Sequence, residues 1–310
     1  MNFFNRGDSD ARLKAMSINI APGKYVVAVS GGVDSMVLLD VLSETNDLDL
    51  IVAHFDHGIR NDSHVDAEFA AAAAGRYGMA VETERVELGA DASEEAARIA
   101  RYNFLHDIRS KYQAQAIITA HHQDDLLETV VINISRGTGR HGLSSLRSQG
   151  SLQRPLLGWS KQDIMDYADS HDIEWREDPT NKDTTLLRNH IRHEILPKLS
   201  QAQKQTLINT SIRTAELNDQ IDEGLATLLK YKSYRHEGKV YPRSWFNSLP
   251  HSLCMDIVHH WMRQLKVHDY SRPKIDRIVL QLKTLRPGKQ VQLGSDKTIA
   301  ITKRSLRLQV

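Results

Sequence analysis

Apolar residues follow two rhythms along the first two hundred positions. Short unbroken runs at residues 25–29, 50–55 and 116–120 read as strands covered on both faces, and residues 81–88 alternate as a further strand. Between them lie helical patterns: 34–44, with Met36, Val37, Leu38, Val41 and Leu42; 63–77, whose alanines at 70–74 offer a small face for packing; a helix opened by Ser93 as N-cap; and another over 124–134. Strands that alternate with helices predict an α/β fold with a doubly wound parallel sheet. Ligands of such sheets sit beyond the carboxyl ends of the strands, at the switch point. Residues 154–157 read as extended, and Ser160 opens a helix to about residue 169.

Near residue 200 the rhythm changes. Residues 203–229 predict a long connecting helix, 241–266 mixed helix, and 272–285 a basic helix that buries Ile275, Ile278, Val279 and Leu282. Residues 290–293, 298–301 and 306–308 alternate between turn-forming breaks, which predicts a small antiparallel meander. The expected organisation is a lead-in over 1–23, an α/β domain over 24–200, and a smaller basic α+β domain over 201–310. No internal repeat interrupts this order.

Charge sharpens that division. The formal net charge of +1 hides 21 basic against 30 acidic residues over 1–200, a net of −9, and 19 against 9 over 201–310, a net of +10. A polyanionic partner for the basic part is one reading, and a solvated basic face the other. No apolar run approaches the roughly 18–20 residues that span a bilayer, and residues 1–22 lack a signal-peptide core. A single cysteine, Cys254, excludes an internal disulfide and any Cys-x-x-Cys site. A cytoplasmic protein is expected.

The chemistry gathers at predicted strand ends. Ser30-Gly31-Gly32-Val33-Asp34-Ser35 follows the first strand and opens a helix. Adjacent glycines let backbone N–H groups approach an anion, and the helix N-terminus adds unpaired donors and partial positive charge. Ser30 and Ser35 bring hydroxyls, and Asp34 a carboxylate for Mg²⁺ or substrate. A tight turn without a ligand is the plainer reading. The loop lacks the Gly-Lys-Ser/Thr ending of a Walker loop and the Gly-x-Gly-x-x-Gly of a dinucleotide site. It resembles the PP-loop of the ATP pyrophosphatases, which cleave ATP between the α and β phosphates.

His121-His122-Gln123-Asp124-Asp125 with Glu128 lacks zinc spacing. Asp124 or Asp125 is expected either to ligate Mg²⁺ with Asp34 or to cap a helix. Residues 136–143, with Arg136, Arg140 and three glycines, read as a cationic flap or a plain helix-ending turn. Arg188 and Arg192, at i and i+4, present paired guanidinium groups to phosphate oxygens or to the acidic stretch before them.

Taken together, these motifs resemble the bacterial tRNA(Ile)-lysidine synthetases, in their compact form. The likeness rests on Ser30 to Ser35, His57-Gly58-Ile59-Arg60, Ala97-Arg98 with Arg101-Tyr102, the His121-to-Thr129 stretch, Arg136-Gly137-Thr138-Gly139, Arg154-Pro155-Leu156-Leu157, Glu177-Asp178-Pro179 with Asn181, and Arg188-Asn189-His190-Ile191-Arg192. One departure is Phe55-Asp56-His57, where a second histidine is expected. The resemblance implies ATP-dependent ligation of free lysine to C2 of the wobble cytidine in a CAU-anticodon isoleucine tRNA, through an adenylated cytidine, with release of pyrophosphate and AMP. It implies ATP and Mg²⁺, tRNA held by the basic domain, and a homodimer by precedent.

The implied catalytic residues are Asp34, Asp124, Asp125 and Arg188. Those for ATP are Ser30, Gly31, Gly32, Val33, Asp34, Ser35, Arg98 and Arg101, and those for Mg²⁺ are Asp34 and Asp125. Asp34 is also the expected acceptor for the lysine amine proton. Rival readings are another PP-loop tRNA-modifying enzyme and a non-catalytic nucleotide-dependent RNA binder. An iron–sulfur thiolase would need cysteines that this chain does not have.

Overall fold

The computed structural model describes residues 18–58, 63–87, 89, 93–177, 187–233, 240–267, 270–294 and 296–309. Most of the expected lead-in, together with Ile59, Arg60, Asp178, Pro179 and Asn181, lies outside the described residues. The chain divides into two compact units, one of residues 1–135 and 144–210, the other of 136–143 and 211–310.

The first unit is built on a five-stranded parallel sheet, ordered β3-β2-β1-β4-β5. Its strands are β1 (Gly23–Ala28), β2 (Leu48–Asp56), β3 (Ala80–Arg85), β4 (Ala116–Ile118) and β5 (Leu152–Gln153). Successive side chains of β1 point to opposite faces, so Val27 and Val26 enter separate cores. On one face Val27 packs among residues of α1 (Val33–Ser43), α2 (Ser63–Arg76) and α6 (Lys161–Ser170). On the other, Val26, Ile51 and Ile117 meet Phe104, Leu105 and Ile108 of α3 (Glu94–Lys111). Two covered faces explain why these strands are unbroken apolar runs. The exposed edge, β3, carries Glu82, Glu84 and Arg85, charges that discourage pairing with another strand. Chain order reverses between β1 and β4, so the switch point lies at their carboxyl ends. From there α4 (Gln123–Ser135) leads away.

The second unit includes the short α5 (Arg140–Leu143), residues 211–232 of the long α8 (Gln201–Lys232), α9 (Arg243–Ser248), α10 (His251–Gln264) and α11 (Arg272–Thr284). Its antiparallel sheet runs β6-β9-β8-β7, with β6 (Val240–Pro242), β7 (Gln290–Gln292), β8 (Thr298–Ile301) and β9 (Ser305–Gln309). Trp261, Tyr241, Phe246 and Cys254 share a core with Ile275, Ile278, Val279 and Leu282, the four residues expected on the buried side of the basic helix.

Two local expectations are corrected. Residues 154–157 are not extended: after the two-residue β5, Pro155–Gly158 forms a 3₁₀ turn closed by Trp159 N–H donating to Leu156 O. Proline at the first position suits such a turn, since its fixed φ fits and its missing N–H is not needed. The stretch 241–266 is not helical from its start, because Val240–Pro242 pairs with β9 before α9 begins. Proline's lack of an N–H suits a strand end.

Candidate active site

The loop after β1 is shaped by its glycines and by two serines. Gly31 has φ +88, a conformation side chains rarely adopt, and its carbonyl accepts from Arg176 N–H at 3.0 Å. Gly32 precedes α1 in extended conformation without a side-chain cap; its carbonyl takes the Ser35 N–H at 3.0 Å, and the N–H groups of Val33 and Asp34 ahead of it are placed to meet an anion. Ser35, buried, accepts from Ser30 N–H at 3.2 Å and donates to Gly32 O at 2.9 Å, while the two serine hydroxyls lie 3.3 Å apart. His54 Nδ1 donates to Val29 O at 2.9 Å and fixes the end of β1.

A cavity of about 390 Å³ opens beside this loop. Ser30, Gly32, Asp34 and Ser35 line it with Arg101 from α3 and Asp125 from α4. His122 ties the two carboxylates together. Its Nδ1 accepts the Asp124 N–H at 3.3 Å, and its Nε2 lies 3.8 Å from Asp34 Oδ2 and 3.5 Å from Asp125 Oδ2. Asp125 Oδ2 also accepts His122 N–H at 3.0 Å. The carboxylate therefore caps α4, as one of the two readings of the sequence expected, and also lines the cavity.

Behind Asp125 lies Glu128, fully buried. Arg188 Nε donates to it at 2.8 Å and Arg192 Nε at 2.5 Å, and both guanidinium groups also reach Asp125 Oδ1, at 3.3 and 3.5 Å. Among the described residues they thus serve the carboxylates of α4. Burial pushes the Asp125 carboxyl up, but His122, through its ring and its backbone N–H, and the Arg188 guanidinium outweigh it and hold its pKa below the usual range. Burial also pushes His121 down to about 3, so its imidazole is neutral at physiological pH. Burial, then the charges of Arg98 and Arg188, lower Arg101.

Residues 6–199 match the family model described as the PP-loop domain. The tRNA(Ile)-lysidine synthase of Exiguobacterium sibiricum is 32% identical over 283 residues, covering 90% of this chain and 67% of that protein. The chain belongs to the tRNA(Ile)-lysidine synthase family. The family's member in Geobacter sulfurreducens is 36% identical over 69% of this chain and 48% of its own length, and the one in Thermus thermophilus 39% over 59% and 37%. The chain thus spans from about a third to two thirds of these relatives. A U34-tRNA thiolase of Methanococcus maripaludis superposes with a TM-score of 0.56 at 15% identity, covering 68% of this chain and 80% of that one, and shows the shared fold.

Of the residues that the family resemblance singled out, Ser30, Gly32, Asp34, Ser35, Arg101 and Asp125 line one cavity. Gly31 shapes the loop without lining that cavity, and Val33 is buried as the first residue of α1. Asp124 is half-buried on α4 and does not line the cavity. Arg188 approaches through Asp125. Arg98 is exposed, its guanidinium 5.1 Å from the Tyr102 ring centroid.

The departure at Phe55-Asp56-His57 has a local purpose. Asp56 Oδ1 accepts from Gly58 N–H at 2.8 Å, and Gly58 has φ +64 with the Glu87 backbone 3.0 Å from where a Cβ would stand. Residues 136–143, read as a flap or turn, include a short helix whose Arg140 bonds Asn218 and Asp256 and whose His141 stacks on His259 at 4.1 Å, all within the second unit.

Sequence reasoning missed Lys161, whose Nζ lies 2.5 Å from Asp34 Oδ1, and the Arg176–Asp66 pair at 2.5 Å beside the loop. Neither carries a sequence signal of its own. Both depend on pairings 127 and 110 residues apart.

Proposed function

We propose that this protein joins free lysine to C2 of the wobble cytidine of a CAU-anticodon isoleucine tRNA, consuming ATP and releasing AMP and pyrophosphate. The observation that carries the reading is the convergence of the serine–glycine loop, Asp34, Arg101 and Asp125 on one cavity at the switch point of a PP-loop domain.

In the first step the cytidine O2 attacks the α-phosphorus and pyrophosphate leaves. The Ser30 and Ser35 hydroxyls, the first-turn amides of α1 and Arg101 suit the negative charge of the departing group. Asp34 and Asp125 would hold Mg²⁺, which offsets phosphate charge when bound. The fit is to a cation that arrives with its nucleotide: among the described residues no group of three or more His, Cys, Asp or Glu side chains forms a cage, and Mg²⁺ commonly takes one or two carboxylates plus phosphate oxygens. The lowered pKa of Asp125 keeps it ionised for that task.

In the second step the lysine ε-amine attacks C2, the bond from C2 to the adenylated oxygen breaks, and AMP departs with that oxygen. The amine must give up a proton, and Asp34, released once pyrophosphate has left, is the proposed acceptor.

Tethering of tRNA falls to the basic residues of the second unit. Arg277 and Lys289 are exposed and Lys274 half-buried, whereas Arg243 and Lys283 direct donors to the backbone carbonyls of Leu285 and Leu249. Binding through phosphates would be salt-sensitive. No described helix is long and apolar enough to cross a membrane. A cytoplasmic setting and a homodimer complete the proposal.

The test is incorporation of labelled lysine into an isoleucine CAU-anticodon transcript with ATP and Mg²⁺, against a transcript altered at the wobble base. Label in the first alone is expected. Asp34→Ala should lose pyrophosphate release while keeping tRNA binding. Pyrophosphate released without lysine transfer would point to another PP-loop reaction, and no turnover of any kind to a binding protein.

A further inference from the structure

The cations around the cavity differ in how tightly they are held. Arg188 and Arg192 are locked on the buried Glu128, and Arg176 is held by Asp66 at 2.5 Å. Lys161 is different. It begins α6, where Ser160 and Asp163 form a reciprocal capping box that fixes the helix start. Its ammonium meets Asp34 Oδ1 with both side chains open to solvent, 39% and 33% exposed. A pair so placed is weakly held and readily exchanged. Lysine, unlike arginine, is a compact charge on a flexible stem, suited to changing partners.

Asp34 is also the carboxylate proposed for Mg²⁺. A divalent cation and an ammonium cannot share one carboxylate oxygen at van der Waals distance without strong repulsion. The arrival of the nucleotide with its cation would therefore displace Lys161 from Asp34, beside newly introduced phosphate oxygens. We propose that Lys161 exchanges Asp34 for the β- and γ-phosphate oxygens of ATP and holds the pyrophosphate as it leaves. In the ligand-free site the same ammonium neutralises Asp34 and keeps its carboxylate directed to the loop. This assignment rests on the ATP-cleaving reading of the site.

The test compares wild type, Lys161→Met and Lys161→Arg in equilibrium binding of ATP, pyrophosphate and AMP, each with Mg²⁺ present. Lys161→Met is expected to weaken ATP and pyrophosphate binding by about tenfold or more, the worth of one charge-assisted hydrogen bond, and to leave AMP binding within about twofold. Lys161→Arg should recover most of the loss. Half-saturation with Mg²⁺ in the presence of AMP should shift to lower concentration in Lys161→Met, since the competing ammonium is gone. A merely structural role would weaken AMP in parallel and lower the melting temperature, and either result, or unchanged pyrophosphate binding, overturns the assignment. These measurements need neither tRNA nor lysine. If the wild type binds ATP, shows this contrast and makes no lysidine, the proposed reaction falls and Lys161 stands; if it makes lysidine without the contrast, the reverse holds.

Discussion

The two units bury very different material. In the first, polar groups reach deep positions beside the sheet: His54, Asp56, Thr119, His122 and Glu128 are all buried. Beneath the sheet of the second lies an almost wholly apolar cluster around Trp261, with Ser305 the buried polar residue on its strands and Ser211 and Asn218 along α8. A buried charge is costly unless paired, so the first unit commits arginines to holding Glu128 and Asp125. The result is a cavity whose charges are already in place before any ligand arrives. The second unit keeps most of its excess charge outside, where solvation is retained and a partner can be met.

The largest effect that could break this comparison comes from Glu128. Glu128→Ala removes the buried carboxylate that Arg188 and Arg192 hold most closely, leaving them only their longer contacts to Asp125, and should destabilise the protein by about 3–5 kcal/mol, with turnover lost as Asp125 shifts. Leu282→Ala in the second core should cost a similar ~2–5 kcal/mol through a cavity, while ATP binding to the surviving fold stays near wild type. Denaturant unfolding and ATP titration of both variants check the pair. Equal loss of ATP binding in both would erase the distinction between the units.

A smaller effect is expected from the surface of the second unit. Replacing Lys274, Arg277 and Lys289 together by glutamine should leave stability within about 0.5 kcal/mol. It should also flatten the salt dependence of tRNA binding by up to about 0.9 logarithmic units of slope for each phosphate no longer neutralised. Affinity measured across a salt series decides this, and an unaltered slope would remove these residues from the interface.

The smallest effect is on pH. His121 folds with its pKa depressed from 6.5 to about 3, so the unfolded chain binds a proton in that interval and the folded one does not. Its contribution to stability is full above pH 6.5 and is lost as pH falls towards 3. His141 in the second unit, lowered to about 4 first by burial and then by His259, behaves with the same sign over a narrower window. His121→Asn should therefore reduce the loss of stability between pH 7 and pH 5, measured by denaturant midpoint.

How much of this was legible in the sequence follows from what encoded it. The strands of the first sheet announced themselves because burial on both faces demands continuous runs such as residues 25–29. The helix at 272–284 did so because Ile275, Ile278, Val279 and Leu282 recur at helical spacing. The β5 strand, two residues long, has no periodicity to read, and β6 is three residues ending in proline. At the site, the loop from Ser30 to Ser35 is local and therefore readable. The pairing of Glu128 with Arg188 and Arg192 spans some sixty positions, and nothing in either stretch names its partner. Lys161 opens a helix like any exposed lysine, until the fold carries Asp34 to it.

The passage of residues 136–143 into the second unit bears on how the gene can be rearranged. The backbone passes from one unit to the other at 135–136, 143–144 and 210–211. Ending the chain near residue 200 would keep every strand of the parallel sheet yet deprive Arg140 of Asn218 and Asp256, and His141 of His259. A donor unit grafted in its place would have to receive that helix as well. Recombination at the apparent boundary is thus penalised, and changes at the far end accumulate more easily by substitution than by exchange of cassettes.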